Sequence, residues 1–169
     1  LEEHKNDVEI DEDDMEETIF YKTLRRKFNK ILDYQFGREV GNSLITRETR
    51  FKKNRFNSKV AIFTKKGGKK IGDFDPVSGQ IELSLFGGQI IKDHENFNNN
   101  IIFDGKKFSG NTLFRPGIKE WNENLLPGSI VLVLNDDKSQ VIGVGRMVVS
   151  SAFIEKSQTG KIVEVYEHV

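Results

Sequence analysis

Cysteine is absent from all 169 residues. That excludes a disulfide framework, a thiolate zinc site and a thiol nucleophile. The three histidines, His4, His94 and His168, lie far apart without ligand-like spacing, so no metal is expected. No apolar run approaches the roughly 20 residues of a membrane span, and none resembles a secretory signal. The chain is therefore expected to be soluble and cytoplasmic, with no membrane partner. Phosphate-loop and serine-nucleophile motifs are also missing. The length suits one average domain or two small ones and is too short for a TIM barrel of about 250 residues. The first residue is Leu1, which reads as a trimmed chain or a piece of a longer one.

Charge is plentiful but unevenly placed. Residues 1–17 carry ten acids against Lys5, whereas residues 18–70 carry sixteen Lys and Arg against Asp33, Glu39 and Glu48. From residue 71 onward nine bases meet thirteen acids. The zero formal net charge thus hides a central basic block. The acidic start has too little apolar content to offset chain entropy and is expected to be disordered over residues 1–14. It reads either as a solubilising tail or as a segment that lies over the basic block and competes with RNA.

Between Glu16 and Leu32, Ile19, Phe20, Leu24, Phe28, Ile31 and Leu32 recur at helical spacing, with acids early and bases late. A second short helix is expected to carry Phe36, Val40 and Leu44. Val60–Phe63 reads as a strand, Lys65–Lys70 as its turn and Ile71–Phe74 as the return. A short helix is expected over Leu83–His94, and Asn96–Asn100 is a polar linker that sets a domain boundary. Ile130–Leu134, the turn Asn135-Asp136-Asp137-Lys138 and Val141–Val149 then read as a hairpin, and Ser150 and Ser151 as caps of the next segment.

Gly110-Asn111-Thr112-Leu113, Arg115-Pro116-Gly117-Ile118, Leu126-Pro127-Gly128-Ser129-Ile130-Val131-Leu132-Val133, Val141-Ile142-Gly143-Val144-Gly145-Arg146 and the closing Lys161-Ile162-Val163-Glu164-Val165 follow in order. This arrangement resembles the PUA domain, the RNA-binding pseudobarrel of pseudouridine synthases and archaeosine tRNA-guanine transglycosylases. In that family lysine often stands where this chain has Asn111, and aspartate where it has Ser129.

Asp33-Tyr34-Gln35-Phe36-Gly37 with Val40-Gly41, and later Leu83-Ser84-Leu85-Phe86-Gly87-Gly88, resemble the domain that precedes PUA in archaeosine transglycosylase and related archaeal enzymes. Together the two resemblances span about residues 30–169. They imply a module that grips tRNA and presents a D-arm guanine to a separate TIM-barrel catalytic subunit. The catalytic aspartate pair and cysteine-rich zinc site of such enzymes belong to other domains, so neither catalysis nor a cofactor is expected here.

Candidate RNA contacts fall into three groups. Arg47, Arg50, Lys52, Lys53 and Arg55 are interleaved with Phe51 and Phe56: the cations suit phosphates, and the phenylalanines read as core residues or, if exposed, as stacking platforms. Lys65, Lys66, Lys69 and Lys70 flank Gly67-Gly68, which reads as a phosphate-binding turn or a soluble hairpin tip. Resemblance to PUA adds Lys106, Lys107, Gly110, Asn111, Thr112, Arg115, Gly143, Gly145 and Arg146. Gly143 and Gly145 admit either an approaching RNA backbone or mere barrel curvature. Trp121 reads as core. Asp73, Asp75, Asp136 and Asp137 lie in turns, where carboxylates commonly cap amides rather than serve as acid/base pairs.

The expected architecture is α+β: an acidic leader over residues 1–14, a small α/β domain over 15–96 and a PUA-type β-barrel over 97–169. The expected function is non-catalytic tRNA binding for archaeosine formation. A standalone PUA protein acting in ribosome or rRNA assembly is the alternative; an independent RNA-modifying enzyme is a third.

Overall fold

The computed structural model describes residues 12–169. The expected disordered leader therefore falls largely outside the described residues. Helix α1 (Glu12–Phe36) is longer than its apolar spacing suggested, because Phe28, Leu32 and Phe36 continue one fully buried stripe. It stops at Gly37, whose φ of +130° suits glycine and whose amide bonds back to Asp33 O at 3.0 Å. The Asp33 carboxylate accepts from Gly41 N at 2.7 Å, where the single-turn α2 (Gly41–Leu44) begins.

A four-stranded antiparallel meander follows, in the order β1 (Arg50–Lys53), β2 (Val60–Phe63), β3 (Lys70–Asp75), β4 (Gln80–Leu83). Two of these strands depart from the sequence reading. Arg50–Lys53, to which no element was assigned from sequence, is an edge strand, and Gln80–Leu83 pairs with β3 ahead of the helix expected to start at Leu83. The open edge of β4 is occupied by Gln35: its side chain donates to Ile81 O at 3.0 Å and accepts from Ile81 N at 2.6 Å, as a neighbouring strand would. The Gln-Phe-Gly motif is thus a joint between helix and sheet, with Phe36 packed on Phe97.

Ser84 caps helix α3 (Leu85–Ile91) by accepting from Gly87 N at 3.0 Å. Gly87 and Gly88 let this helix sit in a narrow space. A Cβ on Gly87 would lie 2.3 Å from Ile71 O, and one on Gly88 2.7 Å from Leu132 Cδ2.

Strands β5 (Asn100–Phe103), β6 (Thr112–Phe114), β7 (Ile118–Trp121), β8 (Ile130–Leu134), β9 (Val141–Met147) and β10 (Lys161–His168) form a curled sheet in the order β6-β10-β9-β8-β5-β7, with α4 (Ser151–Lys156) before β10. The β5–β8 pairing is parallel and the others antiparallel. Asn96–Asn100 runs directly into β5, and the Ile118 stretch, which reads as amphipathic, is a strand. Ser150 stands at the α4 N-cap position, and the Ser151 hydroxyl donates to Asn122 O at 2.7 Å.

Strand β8 is buried on both faces, which explains its unbroken apolar sequence. Ile130, Leu132 and Leu134 belong to the core built by α1, the meander and α3, while Val131 and Val133 belong to the barrel core. Polar bonds stitch the same seam. Arg146 on β9 bonds to Gln80 and pairs with Glu82 at 3.3 Å; Gln80 donates to Gly128 O at 3.0 Å. The Tyr166 hydroxyl donates to Leu83 O at 2.7 Å, and Glu167 accepts from Leu85 N at 3.2 Å. Glu82 also accepts from Lys59 at 2.6 Å, a bond that raises the lysine pKa.

Candidate nucleic-acid interface

The N-terminal half holds an open cleft of about 830 Å³. Its walls come from α1 (Tyr21, Arg25), the α2–β1 loop (Arg47), β1 (Arg50, Phe51, Lys52), the end of β2 (Phe63) and the β2–β3 turn (Lys65, Lys66, Gly67, Gly68). Six of these residues are cationic and none is acidic. A second basic concavity, lined by Arg25, Arg26, Asn29, Lys30, Ile45, Thr46 and Arg47, adjoins it through Arg25 and Arg47. Like charges held this close repel one another, so the arrangement favours a polyanion that neutralises them.

The cleft has a fixed floor. Tyr21 stacks on Phe51 with ring centroids 5.8 Å apart, and Phe51 meets the buried Phe28 edge-on at 5.1 Å. The Arg50 guanidinium lies 5.4 Å from the Tyr21 centroid. Its Nη1 also lies 3.1–3.2 Å from the carbonyl oxygens of Arg47, Glu48 and Thr49, so Arg50 braces this loop from within. Arg25 adds a bond to Arg47 O at 3.2 Å. By contrast, Arg47, Lys52, Lys65 and Lys66 are exposed and make no ion pair among the described residues.

The structure therefore divides the sequence candidates. Arg47, Arg50, Lys52, Lys65 and Lys66 come together in one cleft. Lys53 and Arg55 lie toward the β1–β2 turn, exposed beside Phe56. Lys69 sits 5.0 Å from the Phe86 ring centroid, and Lys70 pairs with Asp73 at 2.9 Å. Phe56 is 99% exposed, contrary to its reading as core, while Phe51 is half-buried against the core as expected.

In the barrel, Lys106, Lys107, Gly110 and Asn111 are exposed on the loop before β6, and Thr112 opens that strand. Gly110 has a φ of +76° with open space around it. Arg115 is turned inward: its Nε donates to Ile154 O at 2.8 Å, and its guanidinium lies 5.1 Å from the Trp121 centroid. Gly143 and Gly145 are buried against the chain's own atoms. Their Cβ atoms would lie 2.8 Å from Phe108 Cζ and 2.3 Å from Glu164 O. Arg146 is committed to the seam with Gln80 and Glu82.

Tyr21 and Arg25 escaped the sequence reading. They precede the other cleft residues by more than twenty positions, and only the packing of α1 beside β1 brings them in. Of the carboxylates read as turn caps, Asp75 and Asp137 behave so, whereas Asp73 lies within β3 and pairs with Lys70. Asp75 accepts from Val77 N at 2.9 Å, which holds its pKa down; Asp137 is held down by Ser139, whose amide donates at 2.9 Å. Among the described residues no group of His, Asp and Glu is arranged to hold a metal, and no helix is long and apolar enough to cross a membrane.

The chain is 30% identical over 111 residues to archaeosine synthase of Methanocaldococcus jannaschii, a match covering 64% of this chain and 19% of that protein. The chain thus spans about a fifth of the length of this relative. A hypothetical protein of Pyrococcus horikoshii superposes with a TM-score of 0.65 at 17% identity, over 85% of this chain and 89% of that one. A conserved PUA domain protein of Thermoplasma acidophilum gives 0.60 at 15% identity, over 88% and 89%. These likenesses show a shared fold. Residues 106–169, which hold β6 to β10 of the curled sheet, match the PUA domain.

Proposed function

We propose that this chain is a non-catalytic tRNA-binding module, with residues 15–96 and 97–169 as its two parts, that positions a D-arm guanine for archaeosine formation by a catalytic subunit. The observation that carries the reading is the acid-free cationic cleft built beside a PUA domain. PUA domains are RNA-binding modules, and phosphate neutralisation supplies much of the affinity for folded RNA. The name of the M. jannaschii relative supports the link to archaeosine. The exposed Lys106–Thr112 loop is a second contact surface, and the stitched seam holds it in fixed relation to the cleft.

The test is guanine exchange into tRNA with this chain, with a catalytic transglycosylase chain lacking its PUA region, and with both. Exchange that rises only in the mixture supports the proposal. Recovery of ribosomal particles, with no effect on exchange, would favour the rRNA-assembly alternative.

A further inference from the structure

We infer that the β1–β2 hairpin is a base-stacking finger, on which Phe56 receives an unpaired nucleobase while Lys53 and Arg55 neutralise the flanking phosphates. The preferred ligand of this face is then RNA with a single-stranded segment beside a helix. Phe56 is 99% exposed, and it makes no ring contact among the described residues. The cleft aromatics are already occupied, since Tyr21 and Phe51 stack on each other and Arg50 lies over Tyr21. The turn that carries Phe56 is held by Asn54 N to Lys59 O at 2.8 Å, Phe56 N to Asn54 Oδ1 at 2.8 Å and Lys59 N to Asn57 Oδ1 at 3.1 Å. Little ordering cost remains for a ring presented on such a turn. Charge selects the partner: no acid occurs from Thr49 to Gly72, and β1 runs from the turn into the cleft through Lys52 and Arg50. Every base has a π-face, so the contact is tolerant of sequence.

This inference rests on the RNA reading of the cleft, and its test separates the two. Wild type, Phe56→Ala and Phe56→Trp are titrated with a blunt RNA duplex, with the same duplex bearing a single-stranded 3′ overhang that contains 2-aminopurine, and with phosphatidylserine vesicles. Phe56→Ala is expected to weaken overhang binding about tenfold, leave blunt-duplex binding within about twofold and abolish 2-aminopurine quenching, and Phe56→Trp to restore overhang binding and quenching. Equal losses on both RNAs, no loss on either, or a Phe56 effect seen with vesicles alone would overturn the finger. If neutralising Lys52, Lys65 and Lys66 also leaves both RNAs bound as before, the cleft reading fails independently.

Discussion

Neutralising Lys52, Lys65 and Lys66 together to glutamine removes charge from the cleft without touching its frame. All three are exposed and unpaired among the described residues, unlike Arg50, which braces the Arg47–Thr49 carbonyls and would confound the experiment. If each lysine neutralises one phosphate, log K against log salt should flatten by about 0.7 to 0.9 per lysine, or roughly 2 to 2.7 for the three. Between a 1 M reference and 0.15 M salt that is an affinity loss of about 50- to 150-fold. Fluorescence anisotropy with labelled tRNA across a salt series reads slope and affinity together, and thermal unfolding should be nearly unchanged. An unaltered slope in a well-folded variant would refute the assignment of this cleft to phosphate, whatever its shape suggests.

Gln35→Leu should lower unfolding free energy by about 2 kcal/mol or more in denaturant titration, because both backbone groups of Ile81 lose their partner. Gly87→Ala should cost about 1 to 3 kcal/mol, since its methyl meets the Ile71 carbonyl, a backbone atom that cannot rotate away; a neutral result would mean α3 shifts freely on β3. The Tyr166 hydroxyl is the buried end of a residue that is 40% exposed overall, and burial, followed by the nearby Glu82 charge, raises its pKa well above the usual phenol value. The folded protein keeps a proton that the unfolded chain releases, so this stabilisation is whole below about pH 10 and is lost as pH rises toward the folded value. Tyr166→Phe should remove that alkaline dependence and cost about 1 kcal/mol at neutral pH, both measurable by denaturation across pH.

The barrel hairpin was legible in the sequence because β8 and β9 are apolar runs around a polar turn, and α1 because its buried stripe has helical spacing. Edge strands were less so. Arg50–Lys53 alternates poorly, with its first two residues half-buried and its last two exposed, so the sequence carries no strand period there. Phe56 defeated the reading for the opposite reason: phenylalanine is usually interior, and only the turn geometry places it outside. Gly143, Gly145 and Arg146 matched a family pattern, yet the pattern does not say whether it is kept for RNA or for packing. What these positions touch depends on neighbours distant in sequence, Phe108, Glu164, Gln80 and Glu82.

The two-sided burial of β8 bears on how such a protein can be cut, fused or inherited. The segment matching the PUA domain begins at residue 106, beyond β5, the parallel neighbour of β8. Excision there would strip one strand from the sheet and leave Ile130, Leu132 and Leu134 facing water. A fragment meant to fold as this barrel should therefore begin ahead of β5 and carry α3 and its sheet along.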